Sequence, residues 1–361
     1  MRLSKESFRK MSGAGVVTAG TLIVLAVVLV IAGTGAAAGK PKTVAELALY
    51  KGADRQQILE EGARKEGTIS FYTIHLERLF WVNAFKKRYP YIKVLDYRTG
   101  TSSLVTKVLE ENKVGKHSVD VLELSQAAAS VLQAGGILQP FYSPNLAELE
   151  EDGIREAPGG GVFLATYRLN PVGVGYNKTL ITEDQLPKTY QDLLDPKWKG
   201  KITISGTNTG VQWIGTILSA LGEDFVKRLA QQEIQVHMVS GGALFDMIVA
   251  GEYPFSPTLY RSHAVLSKKM GAAVDWVPLE PTYVVAGQMA LDKHALHPHA
   301  GLLFMDFVLS KQSAELVKSI GMIPTRKDMT DLSSFKKFYG TKSVEETFRF
   351  QKIFNRLFLK R

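Results

Sequence analysis

Polar side chains able to hold a small solute gather at five places, each directly after a short apolar run. TISFY (68–72) delivers Thr73, Ile74 and His75. The run ending at Tyr97 delivers Arg98 and the hydroxyl series Thr101, Ser102 and Ser103, and the run ending at Leu124 delivers Ser125 and Gln126. KITIS (201–205) closes on Ser205 and delivers Gly206, Thr207, Asn208, Thr209 and Gly210. The stretch 255–260 delivers Tyr260 and Arg261. Hydroxyls and free backbone N–H groups at the start of a helix form a seat for an anion, and a guanidinium adds charge-assisted, bidentate donors. The same Ser, Thr and Asn residues serve equally well as N-caps, and Tyr260 with Arg261 equally suits an ion pair at an edge. Tyr167, Arg168 and Tyr283 flank two passages, 166–171 and 279–282, that read as crossovers between halves of the chain; each of the three either lines a cleft or packs in a hinge. The candidate ligand residues are therefore Thr73, His75, Thr101, Ser102, Ser125, Arg168, Ser205, Thr207, Asn208, Tyr260, Arg261 and Tyr283.

Other chemistries find little support. The chain has no cysteine, which removes disulfides, thiolate metal sites and cysteine nucleophiles together. It has no H-E-x-x-H, no G-x-S-x-G, and no G-x-G-x-x-G opening a helix after a strand. His294, His297 and His299 form an H-x-x-H-x-H cluster, but His297-Pro298 reads as a helix start with proline in the first turn. Trp198, Trp213 and Trp276 read as packing residues. No catalytic residue, cofactor or resident metal is expected.

The elements that must carry these residues alternate. Strand patterns at 68–72, 92–97 and 119–124 are separated by helical patterns at 79–88 and 103–112, and a further helix follows at 127–134. A strand–helix–strand–helix–strand order argues for a mostly parallel sheet with helices on both faces. The pattern restarts with strands at 172–177 and 201–205, helices at 210–221, 223–232 and 242–250, and strands at 253–256, 273–277 and 283–291. Helices follow at 300–309 and 313–320, and Phe348, Ile353, Phe354, Leu357 and Phe358 put an apolar stripe on a last one. Two crossovers imply a chain that leaves one lobe, builds a second, and returns. The expected division is 39–166 with 283–361 as lobe one, helical tail included, and 167–282 as lobe two.

Three stretches carry a resemblance: LYKGADRQQILEEGARKEGTISFYT (49–73), PKTYQDLLDPKWKGKI (187–202) and HPHAGLLFMDFVLSKQSAELVKSIGMIPTR (297–326). They resemble the type 2 periplasmic solute-binding proteins of ABC importers, in the branch that includes the ferric-ion-binding proteins, over about 45–335. The resemblance implies an α/β fold of two lobes joined by two hinge crossovers, with a small ligand held in the cleft and no catalysis. It implies as partners the transmembrane permease subunits of an importer, with a separate ATPase, and a monomeric state. Iron-binding relatives use two adjacent tyrosines with a histidine and an acid. Here the matching pair reads Leu259-Tyr260, His75 stands for the histidine, and Thr101-Ser102-Ser103 stands where an acid would be. Hard ferric iron needs several anionic oxygen ligands. The residues therefore favour a small anion, held by Arg261 with Arg98 or Arg168 and the helix starts. Ferric iron on His75 and Tyr260, a membrane-anchored sensor of the same fold, and a periplasmic enzyme are the alternatives.

The N-terminus reads as an export signal for the periplasm. Arg2, Lys5, Arg9 and Lys10 precede an apolar run at 15–32, and Ala36-Ala37-Ala38 fits the small-residue cleavage rule. The net charge is +9, but residues 335–361 hold eight basic residues against Glu345 and Glu346. The body lacks the basic excess that a nucleic-acid partner would need, so the charge reads as a solvated basic tail. Mass spectrometry of the protein recovered from its native host is expected to show a chain beginning at Gly39; a chain still carrying residues 1–38 would mean an anchor instead.

Overall fold

The computed structural model describes residues 41–333, 335, 337–339 and 344–359; the expected export signal lies outside them. Helix α1 (Val44–Ala48) starts with a capping box between Thr43 and Glu46. Helix α2 (Arg55–Glu66) turns at Gly67 into β1 (Thr68–Thr73). Then come α3 (Leu79–Arg88), β2 (Lys93–Arg98), α4 (Thr101–Lys113), β3 (Val121–Leu124), α5 (Gln126–Ala134) and β4 (Leu138–Gln139). Pro90 stops α3, because the residue before a proline avoids the helical region. β1 lies between β2 and β3, parallel to both, so the three strands release their carboxyl ends on one side of the sheet. Those ends carry Thr73, Arg98 and Leu124.

The chain then leaves this lobe along one long strand. After β5 (Ile154–Glu156), strand β6 (Val162–Asn177) runs for 16 residues. The second lobe is built from β7 (Thr203–Ser205), α6 (Asn208–Ala230), β8 (Gln235–His237), α7 (Gly241–Val249), β9 (Phe255–Tyr260), α8 (Arg261–Lys269) and β10 (Val274–Val277). Gly222, at φ 81° and ψ 171°, breaks α6 into the two helices that the sequence pattern suggests. β7 and β8 form a parallel pair, joined to the main sheet where Thr258 Oγ1 accepts from Ser205 N at 3.0 Å. Strand β11 (Thr282–Asp292) brings the chain back. Its first half pairs antiparallel with the middle of β6, and its second half with β3. The far end of β6 pairs with β9 and β10. The crossover expected at 166–171 thus lies inside β6, and the return crossover runs as strand through β11. The architecture is a two-lobed α/β fold.

After α9 (Pro298–Val308), α10 (Lys311–Ser319), β12 (Ile323–Pro324) and β13 (Lys337–Tyr339), the chain ends in α11 (Val344–Phe354) and the wider turn 355–359. Each lobe has its own apolar core. In the first, Phe71, Phe85 and Phe304 pack ring against ring at about 5 Å, and Trp81 donates Nε1–H to Ser313 Oγ at 2.7 Å. In the second, Trp213, Ile214, Ile217 and Phe255 are buried with Phe350, Phe354 and Phe358. The tail expected in lobe one therefore contributes to the core of lobe two. The reason lies in α6: Gly215 presents bare backbone, and a Cβ there would stand 2.0 Å from the Phe350 ring. Trp198 and Trp213 are buried as expected. His297 and His299 bond to different carboxylates, Asp120 at 2.9 Å and Glu66 at 2.6 Å, at the start of α9.

Burying a phenylalanine in such a core stabilises by several kcal/mol, and its removal leaves a cavity. Phe354→Ala is expected to cost about 3–5 kcal/mol in urea unfolding. A loss below about 0.5 kcal/mol, the usual size of a surface substitution, would mean that the tail is not part of the core.

Candidate functional site

The strand ends of both lobes open on one cleft of about 500 Å³. From the first lobe it is lined by His75 and Glu77 after β1, by Arg98 and the Gly100–Ser103 turn after β2, and by Ser125 after β3. From the second it is lined by Gly206–Thr209 after β7, by Ser240–Gly242 at the start of α7, by Tyr260 at the end of β9, and by His263. Arg168 and Asn170, in the middle of β6, form the floor between them.

Helices α4, α5, α6 and α7 are among those that begin at this cleft, and these four begin in two ways. Ser125 and Ser240 cap α5 and α7 by accepting from Ala128 N at 3.4 Å and Ala243 N at 3.3 Å. Neither α4 nor α6 has a side-chain cap: Gly100 stands at the first position and Thr207 at the second. Thr207 spends its hydroxyl on Ser205 Oγ, 2.8 Å away, instead of on the helix. The capping alternative therefore holds for Ser125 and fails for the Thr101–Ser103 and Thr207–Asn208 turns. Uncapped first-turn N–H groups carry the positive end of the helix dipole and lack partners of their own. They face the cleft from opposite lobes.

The charged groups differ sharply in what they are free to do. Arg168 is spent: Nη2 donates to Glu123 Oε1 at 2.5 Å and Nε donates to the Tyr167 hydroxyl at 2.9 Å. Glu123 is fully buried and also accepts from Thr73 Oγ1 at 2.6 Å. Glu77 is spent too, between His75 Nδ1 at 2.9 Å and the Ser262 hydroxyl at 2.9 Å. Burial alone would raise the Glu77 carboxyl, but the imidazoles of His75 and His263 and the Ser262 hydrogen bond hold it well below the usual range. Burial pushes His75 and His263 down, towards the neutral form. Burial pushes the Tyr260 phenol up, so it stays protonated near neutral pH, with its hydroxyl 2.8 Å from Thr209 Oγ1. Arg98 stands apart. Among the described residues no carboxylate pairs with it, and its Nε is buried without a hydrogen-bond partner. An unpartnered guanidinium beside an uncapped helix start is a site prepared for negative charge.

Eight of the sequence candidates line the cleft: His75, Thr101, Ser102, Ser125, Arg168, Thr207, Asn208 and Tyr260. Four do not. Thr73 and Ser205 are fully buried at strand ends and hold the lining residues in place. Tyr283 is buried beneath the cleft beside Ser125 and Asn208. Arg261, expected to grip the anion, turns away: it opens α8, donates Nε–H to Gly321 O at 2.5 Å, and lies over the Phe335 ring. β9 ends at Tyr260 and α8 begins at Arg261, so the two adjacent side chains point to different sides. Glu77, Asn170, Ser240, Gly241, His263 and Gln351 also line the cleft, with the apolar Leu76, Met238 and Val285 among the rest of its wall. The Ser240-Gly241-Gly242 helix start had a readable signal in Ser before an apolar run; Asn170 and Gln351 had none.

Residues 118–337 match the model of the bacterial extracellular solute-binding proteins. The chain belongs to that family. Solute-binding proteins of this family bind their solute and do not transform it. Among relatives, an uncharacterised protein of Haemophilus influenzae is 26% identical over 244 residues, 64% of this chain and 69% of that one. The Fe(3+)-binding periplasmic protein of Serratia marcescens is 30% identical over 165 residues, 45% of this chain and 46% of that one. Among solved structures, the periplasmic binding protein AfuA of Actinobacillus pleuropneumoniae, with fructose-6-phosphate bound, superposes with a TM-score of 0.70. That alignment covers 82% of this chain and all of AfuA at 22% identity, which shows a common fold. No described helix of this solute-binding protein is long and apolar enough to cross a membrane.

Glu123 neutralises the floor, so its loss leaves a buried, uncompensated guanidinium. Glu123→Ala is expected to destabilise the unliganded protein by about 3–5 kcal/mol, measured by denaturant unfolding. An unchanged midpoint would mean that Arg168 has another partner.

Proposed function

We propose that the cleft takes a small organic anion, with a phosphate group as the best match, and that the protein delivers it in the periplasm to the permease of an ABC importer. The permease's separate ATPase would supply the energy, and the binding protein would act as a monomer. One observation carries this reading: Arg98, unpaired among the described residues, stands beside the uncapped start of α4, while the uncapped start of α6 faces it from the other lobe. A solute that satisfies both helix starts gains more in the closed form than in the open one, and that difference is what shifts a two-lobed protein towards closure. The phosphate-bearing solute in AfuA, on the same fold, supports the same class.

Ferric iron is the second reading, favoured by the relatives and by the presence of His75, Glu77, Tyr260 and His263 in one cleft. The chemistry of the donors weighs against it. His75 and Glu77 are bonded to each other, and the place of a second phenolate is held by Leu259, fully buried. Arg98 and two positive helix ends would repel a trivalent cation.

Titration calorimetry against fructose 6-phosphate, glycerol 3-phosphate, inorganic phosphate and ferric citrate separates the two. Binding of a phosphate ester with no coloured ferric complex is expected. In addition, Arg98→Gln is expected to weaken that binding by about 10–100-fold, the worth of a charge-assisted hydrogen bond, while Arg261→Gln leaves it unchanged. A saturable visible band with ferric citrate and no phosphate binding would make the protein an iron carrier.

A further inference from the structure

On the reading that the cleft binds an organic anion, we infer that the C-terminal helix α11 is a third wall of the binding site and that Gln351 reads the part of the solute distant from its charge. Gln351 lines the same cleft as Arg98 and Thr207, although it comes from a segment that follows both lobes in the chain. It is held there firmly. Phe350, next to it, is buried against Gly215, Phe354 is fully buried, and Arg356 Nη2 donates to Glu223 Oε1 at 2.7 Å. These contacts fasten α11 to α6, the helix whose uncapped start faces the solute. α11 also packs on α5, whose cap Ser125 lines the cleft from the first lobe. The helix therefore spans from one lobe to the other beside the cleft.

The chemistry of Gln351 suits that position. One amide N–H donates to Asn355 Oδ1 at 2.7 Å, which orients the group on the helix. The amide keeps a second N–H and a carbonyl oxygen, and so can bond a hydroxyl or carbonyl of the solute in either sense. Being uncharged, it adds nothing to the anion seat. It would discriminate between solutes that share a phosphate and differ in what the phosphate is attached to, as a site built to bond a hydroxyl rejects an analogue lacking it.

The test uses Gln351→Ala and Gln351→Glu in the full chain, with fructose 6-phosphate and inorganic phosphate as probes in calorimetry and unliganded thermal unfolding as a control. Gln351→Ala is expected to weaken fructose 6-phosphate by roughly 3–10-fold, the worth of one neutral hydrogen bond, with inorganic phosphate and the unliganded melting temperature unchanged. Gln351→Glu is expected to weaken both probes, since it places a carboxylate in an anion site. Wild-type affinity for fructose 6-phosphate in both variants would overturn the inference alone. Equal weakening of both probes by Gln351→Ala, with a lowered melting temperature, would also overturn it, as a packing effect. A wild-type protein that binds neither probe would overturn the anion reading itself.

Discussion

The antiparallel pairing of β6 with β11 is the constraint on which the rest of the structure depends. Two long strands with satisfied ladders cross together from one lobe to the other, so the lobes can be built from separate segments and still share one sheet. The pairing also fixes what faces the cleft. Its register sets Arg168 opposite Gly287, and the ladder shifts between Gly287 and Gln288. Any side chain at 287 would collide with the guanidinium: a Cβ there would stand 2.6 Å from Arg168 Nε and 2.8 Å from Glu123 Oε1. Glycine at that one place lets Arg168 fold across the return strand onto Glu123 and lie flat as the cleft floor.

That arrangement decides the electrostatics of the site. Arg168 and Glu123, which look strongest in isolation, neutralise each other in a buried network, and Glu77 is spent on His75 and Ser262. A buried charge without a partner is costly, so such groups are paired wherever the fold allows. The effective positive charge is left to weaker-looking features: Arg98 at a strand end, and two helix starts where Gly100 and Thr207 do not cap. Each is partial or half-exposed, and they act together because they converge from opposite lobes on one small volume. The tail contributes in the same spirit. Its buried aromatics are spent on the core beside α6, and the residue left over, Gln351, is polar and lines the cleft.

Much of this was legible in the amino-acid sequence because it depends on short-range chemistry. Alternating apolar runs, Pro90 after a helix, and hydroxyl-rich turns before helices each act within a few residues, and they specify an α/β fold of two lobes with polar groups at the carboxyl ends of its strands. His75, Thr101, Ser102, Thr207 and Asn208 could be named from that rule, and the family follows from stretches spread over the whole body. Tertiary structure decided the rest, because it depends on partners far apart in the chain. Thr73 and Ser205 sit at the right strand ends but point inward. Arg261 faces away from Tyr260 because a helix begins between them and Gly321 lies nearby. Arg168 is neutral in effect only because Glu123, 45 positions earlier, is folded beneath it. The tail packs on α6 because Gly215 leaves room for Phe350. A residue type determines what a side chain can bond to; the packing of distant segments determines which of those bonds are already taken.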